Sequence, residues 1–595
     1  MKGLFMKNNK NSDIIKKTFL TIFPVQALAA GLPAINVLIT SVIIGTTLGT
    51  SALAAIGFYG PFKFAVTAVC SILSMGSQMI CGQDLGKGDD YSIKKTFSTT
   101  VFLAAALGLI FTAVCCLFPE KIAVILGAKE ELVALTSDYL KGQAFGIIFT
   151  IMLSCLLPFL QLDQAKLCAS LSAIILVVFN IGFNLLNASV LHLGMYGAGL
   201  AYSLAYIAAC LVCLYHFIFK TKIFRFSFNC ISVPEAGDII VQGLPNAVES
   251  ICMLFRDRVI NSTLYGIGGV VAVSAYTVGI NISVAVGSTI EGGYSGTSNL
   301  IASVLVGERD TDGLRALPRS LAKPIAPIFW AAYALVFIFA KPLGLLFGAE
   351  PENIEIFVLA IRLINLWYLT NTIKNPPMSI YRAFGNIKFV SFMYFLLNFA
   401  FPASICVLFA KAGGVYAVFL MFFLNEVFII ITYAIYYTIK MKQFPTSIFN
   451  LTYIPRNFGI KKEDCCNATV STKAEAVELS DKIIEFCKEK GISNSTAFHC
   501  GLAVEEAVVN IIEHGFTKAG FKALEVDVRC IYENKSISIT VRDNCPGFDP
   551  EAWLALHSGE DTLKGIGIKL IKNIASEMIY RNTIGMNILT ISIPA

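Results

Sequence analysis

Three short clusters near the end of the chain combine residue types that handle nucleotides and phosphate. In the first cluster, Glu506 and Asn510 are four residues apart, so their side chains share one face if the segment is helical. A carboxylate that polarises a hydroxyl, one turn from an amide oxygen that can bind Mg²⁺, suits phosphoryl transfer. Because the same spacing is frequent on solvated helices, this pair indicates chemistry only together with the other clusters.

The second and third clusters supply an acceptor and glycines. Asp543 follows a predicted strand and could accept a hydrogen bond from an exocyclic amine, while Gly547 would let a base lie flat on the backbone. An ordinary turn is the alternative. Lys564 precedes Gly565 and Gly567 at a predicted helix start, where bare amides could hold phosphate and the lysine could reach the terminal one. An ordinary glycine-rich helix start is the alternative there, and the spacing excludes a P-loop.

The elements around these clusters form a pattern of helices and strands typical of a soluble domain. Apolar periodicity predicts helices over Ala474 to Lys490, Ser495 to Glu513 and Leu563 to Ala575. Alternation predicts strands over Leu524 to Ile531, Ser536 to Val541 and Ile588 to Ile593. Because helices and strands do not alternate strictly, the pattern predicts an α+β sandwich.

The rest of the chain has a composition that excludes an ordinary soluble protein. Of all 595 residues, 56% are hydrophobic and 14% are charged, whereas a soluble chain carries roughly 25% charge. Positions 451 to 595 hold 35 of the 86 charged residues, which is 24% of that segment against 11% of the first 450 residues. The first part is too apolar for water and too long for one span, so it is predicted to lie in a bilayer.

Charge-free runs predict twelve transmembrane helices in two sets of six. The sets are separated by a basic loop, and proline and glycine positions repeat between them, as Pro24 with Pro245 and Gly76 with Gly296. A 6+6 repeat is what a transporter needs in order to open a central site to either side. Basic residues collect in alternate predicted loops: Lys87, Lys94 and Lys95; Lys220, Lys222 and Arg225; Arg309, Arg315, Arg319 and Lys323; Lys374, Arg382 and Lys388.

The positive excess of these loops indicates orientation and does not predict a nucleic-acid partner. By the positive-inside rule the basic loops, both termini and the whole C-terminal segment face the cytoplasm of a plasma-membrane (inner-membrane) protein. The repeat aligns Asn36 in the first span with Asp257 in the seventh, beside Arg256. Charges buried in a membrane are costly. Asp257 and Arg256, together with Glu249 and Glu291, therefore predict either a structural ion-pair cluster or a substrate or cation pathway.

The membrane part resembles the multidrug and toxic-compound extrusion (MATE) transporters over about residues 15 to 440. The resemblance rests on short motifs at Leu53 to Gly57, Met75 to Gln78, Asn180 to Asn184, Gly194 to Gly199 and Tyr381 to Gly385. It implies an exchanger of bulky organic cations or amphiphiles against Na⁺ or H⁺. Where the family commonly has aspartates this chain has Asn36 and Asn184, while Asn180 is retained. Since an amide cannot titrate, coupling is expected at Asp257, Glu249 and Glu291, or else the bundle is a sensor.

The three C-terminal clusters together resemble the Bergerat ATP-binding fold of gyrase, certain heat-shock chaperones, histidine kinases and the anti-sigma-factor serine kinases. The compact length and the Glu506 to Gly515 segment look most like the serine kinases. The resemblance implies ATP and Mg²⁺ as cofactors, Glu506 as general base, Asn510 as Mg²⁺ ligand and Asp543 as the reader of adenine. It also implies nucleotide-loop roles for three glycines, Gly547, Gly565 and Gly567.

The sequence thus predicts six segments: a cytoplasmic N-terminus (1–17), a first bundle (18–219), a loop (220–240), a second bundle (241–440), a linker (441–463) and an ATP-binding domain (464–595). Two functions follow. In the first, the bundle exports organic compounds by ion exchange and the ATP-binding domain regulates it. In the second, the bundle senses a small ligand and the domain phosphorylates a serine on a small partner protein.

Overall fold

The computed structural model describes residues 11–48, 50–126, 131–163, 165–221, 223–347, 349, 351–516, 525–533, 535–550, 553–554, 566–583 and 586–594. The chain divides into two compact units. One contains Ile22–Glu308 and Leu321–Tyr453 and is helical. The other joins the described residues from Ile454 onward with the short segment Arg309–Ser320 and with residues 11–21.

The helical unit is built from long apolar helices. Those of the first half are α1 Asn11–Leu48, α2 Thr50–Lys87, α3 Asp90–Leu117, α4 Pro119–Ile125, α5 Glu131–Leu162, α6 Lys166–Leu186 and α7 Gly194–Phe219. A π-helical turn over Asn187–Leu191 and the left-handed His192 (φ 48°) separate α6 from α7. The turn predicted inside the longest charge-free run is therefore confirmed.

The second half begins after a short 3₁₀ turn at Phe228–Cys230. Its helices are α8 Val233–Ile282, α9 Ser288–Gly307, α10 Thr311–Ile338, α11 Ala340–Leu346, α12 Ile354–Ile364, α13 Asn371–Ala383, α14 Ile387–Phe395, α15 Phe401–Phe419 and α16 Met421–Met441. Further π-helical turns lie at Ser283–Gly287 and Leu396–Ala400, and a 3₁₀ turn lies at Asn365–Leu369. Gly269 (φ 60°) breaks α8 into two spans.

Ten helices within the described residues are long and apolar enough to cross a membrane, or up to eleven if the bent pair Ile354–Leu369 and Asn371–Ala383 counts as one span. This is fewer than the twelve predicted. The first predicted span falls in α1, where many side chains after Gly31 lie outside the described residues. Within the described residues the second half has the six predicted spans if that bent pair counts as one, although α11, α12 and α13 are short helices.

Lys374 and Arg382 are a correction to the predicted loops. Both were expected in a basic cytoplasmic loop, but both lie inside α13, where they are 6% and 3% exposed. A buried cation persists where an opposite charge or hydrogen-bond acceptors compensate its lost hydration. Counting basic residues along the sequence could not reveal this, because the compensating groups come from other helices.

The two halves of the helical unit pack closely through α2, which contacts α8 and α9. Gly76, one of the repeated glycines, lies against the backbone of Ile239. A Cβ atom at Gly76 would be 1.9 Å from that carbonyl oxygen. A side chain at this position would therefore force the two helices apart.

The described part of the C-terminal domain contains three α-helices and a five-stranded antiparallel sheet in the order β1-β2-β3-β5-β4. The helices are α17 Lys473–Glu489, α18 Asn494–Asn510 and α19 Ile566–Ile574, and a π-helical turn at Ile511–Gly515 continues α18. The strands are β1 Cys465–Val470, β2 Val526–Glu533, β3 Ser536–Asp543, β4 Glu577–Thr583 and β5 Met586–Pro594. The predicted α+β sandwich is thus confirmed, although β1 and β4 were not predicted.

The two faces of the sheet carry different residues. Ile537, Ile539 and Val541 of β3 point into the apolar core beneath α17 and α18, and Asp543 follows them on the same face. The other face carries polar side chains that lie side by side across three strands, because Thr469 is opposite Asp527 and Asp527 is opposite Arg542. The last two residues of β3, Arg542 and Asp543, therefore point to opposite sides of the sheet.

Candidate functional site

A cavity of about 740 Å³ lies on the helix face of the sheet, within the C-terminal domain. This volume is within the range of small-molecule sites, roughly 300–1,000 Å³. Its polar lining comes from Asn510, His514, Asp543, Tyr580 and Asn587, and its apolar lining includes Ile568, Ile571, Met578 and Leu589. The structure thus brings three of the predicted site residues, Asn510, Asp543 and Gly547, to one concave surface.

Asp543 is held in place at the end of β3. Its Oδ1 accepts a hydrogen bond from the Cys545 amide at 2.8 Å and another from Asn587 Nδ2, also at 2.8 Å. The carboxyl group is buried, with 5% of the residue exposed. Burial raises the pKa of Asp543 above its usual value, although the bonds from Asn587 and Cys545 oppose this shift.

Asn587 is a site residue that the sequence did not reveal. It lies directly opposite Asp543 in the β3–β5 ladder. Its Oδ1 accepts from Tyr580 and from Asn582, each at 2.7 Å, which fixes the amide so that Nδ2 faces the carboxylate. The signal in the sequence is one asparagine near the start of an apolar strand, but only the strand register pairs it with Asp543.

Glu506 and Asn510 lie on α18, and the start of α19 meets them. A Cβ atom at Gly567 would be 2.1 Å from Glu506 Oε2 and 3.3 Å from Asn510 Nδ2. Only glycine lets the backbone of α19 come this close to both polar groups. The predicted first and third clusters are therefore neighbours, and the α18 helix changes to a π-helical turn directly after Asn510.

Gly547 lines the same cavity, close to the polar residues of β4 and β5. A Cβ atom there would be 2.9 Å from Asn582 Nδ2 and 3.3 Å from the Tyr580 hydroxyl. The next residue, Phe548, donates its amide to that hydroxyl at 3.0 Å. Lys564 and Gly565, predicted to contact phosphate, lie outside the described residues.

These residues fit an adenine nucleotide with Mg²⁺. Apolar side chains would cover the faces of a base, and the fixed Asp543 carboxylate would accept from its exocyclic amine. Because Gly567 has no side chain, the first turn of α19 packs directly against Glu506 and Asn510, where its backbone amides would meet phosphate. Asn510 would supply an oxygen for Mg²⁺, which prefers such hard ligands and would neutralise phosphate charge.

Amide side chains dominate the predicted pathway in the first half of the helical unit. Asn180 Oδ1 accepts from the Thr40 hydroxyl at 3.0 Å and from Asn184 Nδ2 at 2.7 Å. Asn36, one turn before Thr40 on α1, is 5% exposed, and its Oδ1 has no hydrogen-bond partner among the described residues. The three asparagines, Asn36, Asn180 and Asn184, form the amide cluster. Their side chains carry no charge at any pH at which a protein is folded.

A charged cluster lies in the second half. It consists of Glu249, Glu291, Lys374, Arg382 and Glu426. Lys374 Nζ is 2.8 Å from Glu426 Oε1 and 3.5 Å from Glu291 Oε1. Glu249 is within electrostatic reach of Arg382, Lys374 and Glu291.

Neutral side chains complete the charged cluster. The amides of Asn371 and Asn375 both donate to Glu291, the second at 3.1 Å. Arg382 donates to Asn246 at 2.9 Å and to the Tyr394 hydroxyl at 2.6 Å. Glu291 and Glu249 were predicted as pathway residues, whereas Lys374, Arg382 and Glu426 were not. The sequence contains one signal of this cluster. Glu426 is the one acid in the apolar run from Met421 to Tyr437, and a carboxylate in a membrane helix requires a partner.

Asp257 and Arg256 pair with each other. Arg256 Nε is 2.9 Å from Asp257 Oδ1, and the Arg256 guanidinium stacks over the Phe422 ring at 5.6 Å. The Asp257 side chain is 51% exposed, whereas that of Arg256 is 13% exposed. The two residues thus form a local pair on α8, and Asp257 remains the most accessible of the predicted acids.

Comparison with known protein families gives two matches. The MatE model matches residues 32–186 and 245–408, together more than half of the chain. The model of the histidine kinase-like ATPase domain matches residues 470–593. The two matched regions do not overlap.

Individual relatives agree with the first match. The multidrug export protein MepA of Staphylococcus aureus (strain MSSA476) is 24% identical over 318 residues, which are 53% of this chain and 70% of the relative. The protein of the same name from Staphylococcus saprophyticus is 25% identical over 234 residues, 39% of this chain and 51% of its own length.

Solved structures show the same fold for the membrane part. An outward-facing multidrug resistance MATE family transporter of the MOP superfamily is 18% identical with a TM-score of 0.66, covering 70% of this chain and 94% of its own. A MOP superfamily transporter from Pyrococcus furiosus is 17% identical with a TM-score of 0.64, covering 72% and 97%. The chain therefore belongs to the MatE family and carries a C-terminal histidine kinase-like ATPase domain.

Proposed function

We propose that this protein exports organic cations or amphiphiles in exchange for Na⁺ or H⁺, and that its C-terminal domain binds ATP with Mg²⁺ and regulates the export. The export class is supported by the relatives named multidrug export proteins. The protein is proposed to lie in the plasma membrane with both termini in the cytoplasm, where ATP is present.

The charge balance of the charged cluster carries the transport proposal. Three carboxylates, Glu249, Glu291 and Glu426, face two cations, Lys374 and Arg382, which leaves one net negative charge if all are ionised. Uncompensated buried charge is expensive, so the cluster favours an additional cation or proton. Glu426 Oε2 and Asn371 Oδ1 have no hydrogen-bond partner among the described residues and are available to receive it.

The transport proposal is tested by flux into liposomes that contain the full chain, with ethidium as the organic cation. An imposed Na⁺ or proton gradient should drive uptake. In Glu291→Gln the remaining charges of the cluster balance, so gradient-driven uptake should fall at least about tenfold. Asp257→Asn is the comparator, because its carboxylate is half exposed and pairs with the adjacent Arg256. Uptake by Glu291→Gln equal to that of the native chain would disprove coupling through the cluster.

The nucleotide proposal is tested by calorimetry on the full chain in detergent. ATP with Mg²⁺ should bind the native chain, and Asp543→Ala should weaken binding at least about thirtyfold, since it removes the buried carboxylate to which Asn587 donates. Asp481→Ala, an exposed position on α17, is the control. Equal affinity of the native and Asp543→Ala chains would reject the assignment of this cavity.

A second function, a membrane-embedded ligand sensor with an ATP-dependent serine kinase domain, is favoured by the amide cluster. Asn36, Asn180 and Asn184 cannot exchange protons, so the first half lacks a titratable site at these positions. In this alternative a small serine-containing partner is phosphorylated. A chain that shows no gradient-driven flux, yet changes its phosphotransfer when a small ligand is added, would support the sensor and contradict the exporter.

A further inference from the structure

The outer face of the ATPase sheet, on the side opposite the cavity, is in contact with a segment from the middle of the chain. Residues Arg309–Ser320, which contain the turn between α9 and α10, belong to the same compact unit as the C-terminal domain. Both helices were identified as candidate membrane spans. The turn after α9 and the start of α10 therefore share a unit with the ATPase domain, which begins about 140 residues later in the sequence.

The centre of this contact is a buried ion pair. Arg542 Nη1 is 3.2 Å from Asp310 Oδ2 and 3.4 Å from Asp527 Oδ2. The three residues are between 4% and 6% exposed. Burial raises the pKa of Asp310, but the charges of Arg542 and Arg529 outweigh it and hold this pKa below its usual value. Asp310 therefore remains ionised at neutral pH.

Two further contacts surround the ion pair. Arg529 donates to the Arg309 carbonyl oxygen at 3.0 Å, and Arg309 Nη1 is 3.0 and 2.9 Å from the two carboxylate oxygens of Glu533. Arg309 has a left-handed backbone (φ 57°), which a residue with a side chain adopts only at an energetic cost. Surrounding contacts must compensate that cost, so the turn is fixed in one conformation.

The same turn also fixes the start of α10. Asp310 Oδ1 accepts from the Gly313 amide at 2.9 Å, which makes Asp310 the N-cap of a helix that continues without interruption to Ile338. One carboxylate thus binds the ATPase sheet with one oxygen and begins a membrane helix with the other. A purely local cap would not need Arg542.

The geometry of β3 connects this contact to the nucleotide cavity. Arg542 and Asp543 are consecutive, so their side chains lie on opposite faces of the sheet. Asp543 lines the cavity, and Arg542 holds Asp310. A shift in the end of β3 when the cavity is filled would move both side chains together.

We propose that residues 309–320 form the contact through which the nucleotide state of the ATPase domain controls α9 and α10, with the Asp310–Arg542 pair at its centre. This inference rests on the proposed binding of ATP. Its docking part, however, does not require nucleotide, so the two can be tested separately.

Docking is tested by hydrogen–deuterium exchange on the full chain in lipid nanodiscs without nucleotide. Asp310→Asn retains a good N-cap but loses the ion pair, so exchange across residues 309–320 should become about tenfold faster. Asp312→Asn is the matched control, since its side chain is 55% exposed and its contact with Arg315 is 4.0 Å. Equal exchange in the two variants would overturn the docking.

The exposed pair Arg309 and Glu533 provides a second test of docking, which can be used if Asp310→Asn unfolds the chain. Arg309 and Glu533 are 44% and 49% exposed, so a charge reversal is compatible with folding. Arg309→Glu should speed exchange of the segment, and Arg309→Glu combined with Glu533→Arg should restore it. Failure of the double variant to recover native exchange would also count against the contact.

Coupling is tested by adding ATP with Mg²⁺. Exchange across residues 309–320 should slow by about threefold in the native chain and remain unchanged in Asp543→Ala. ATP that binds without affecting the segment would overturn this inference alone. If calorimetry shows that ATP does not bind, the proposed function and the coupling are both rejected, while the nucleotide-free exchange still reports whether the segment docks.

Discussion

At the scale of single residues, the nucleotide cavity depends on one carboxylate whose environment is unusual. Asp543 combines burial with two hydrogen bonds to one oxygen, so its position is fixed before any ligand arrives. Such preorganisation reduces the entropy lost on binding. Asn587, fixed in turn by Tyr580 and Asn582, is a positioning residue for this carboxylate.

The raised pKa of Asp543 predicts an acid limb in ATP binding. In the proposed complex the ionised carboxylate would accept from the adenine amine, and protonation would remove this acceptor as the pH falls through the folded pKa. Because burial raises that pKa above the ordinary 3.8, affinity should begin to fall at a higher pH than an exposed aspartate would allow.

This pH dependence of ATP affinity is measured as the ratio of ATP dissociation constants for the native chain and Asp543→Asn. The ratio is followed from pH 8 down to about pH 4, near the ordinary aspartate pKa. Taking the ratio cancels the titration of the phosphates of ATP. A ratio that stays constant down to the ordinary aspartate pKa would contradict the prediction.

Glu506 has a separate predicted role, because it lies beside the start of α19 instead of near the buried carboxylate. Glu506→Gln keeps the shape of the side chain but cannot accept the proton of a serine hydroxyl. ATP binding should stay within about threefold of native, while phosphate transfer to a serine partner should fall by about 10²–10⁴-fold. A Glu506→Gln chain that still labels its partner at the native rate would refute the general-base role.

At the scale of elements, the site is assembled where α18, α19 and the β3–β5 ladder meet. Helix α18 contributes Glu506 and Asn510 through their four-residue spacing, and the ladder contributes Asp543 and Asn587 through their register. The approach of α19 depends on Gly567, since any Cβ atom there would overlap Glu506.

Gly567→Ala tests this close approach. The added Cβ must displace Glu506 or the start of α19, because the two would otherwise be 2.1 Å apart. We expect ATP affinity to fall at least about tenfold and the domain to lose about 1–3 kcal/mol of unfolding free energy, the usual cost of overpacking. Calorimetry and chemical denaturation measure these effects.

Gly237→Ala is the matched control for this substitution. It adds the same methyl group on helix α8, where a Cβ atom would have nothing within 4 Å. If Gly567→Ala binds ATP as well as Gly237→Ala does, α19 does not approach Glu506 as described.

At the scale of the whole molecule, one chain combines an apolar bundle with a domain of ordinary soluble composition. The predicted orientation rests on fewer basic loops than the sequence suggested, because Lys374 and Arg382 belong to the charged cluster. Basic residues remain at the end of α2 and the start of α3, after α7, and in the turn before α10 and the first part of α10. These are sufficient to predict a cytoplasmic C-terminal domain.

Protease protection tests this orientation. Trypsin added outside intact cells should leave the ATPase domain attached, whereas trypsin added to inverted membrane vesicles should release it, because its lysines and arginines then face the protease. A C-terminal epitope tag followed by immunoblotting measures both results. Loss of the tag from intact cells would place the domain outside, where it would not meet ATP, and would contradict the regulatory proposal.

Local composition and residue spacing were sufficient to predict several features of this protein. The division into a bilayer part and a soluble part, the helix that carries Glu506 and Asn510, and the strand before Asp543 all follow from short-range patterns. Strand β1 was missed because its alternation is weak and its partner β2 lies beyond α17 and α18 in the sequence. Strand β4 forms a hairpin with the next strand, β5, and was missed because its own alternation is weak.

The contacts between residues distant in the sequence became visible in the folded structure. Lys374 became a buried partner of Glu426 and Glu291, Asn587 became the partner of Asp543, and Arg542 became the partner of Asp310. Each pairing depends on the register of a sheet or the packing of helices, which brings together groups 44 to 232 residues apart. Local periodicity carries no information about such pairs, so the charged cluster and the contact of residues 309–320 could be found only in three dimensions.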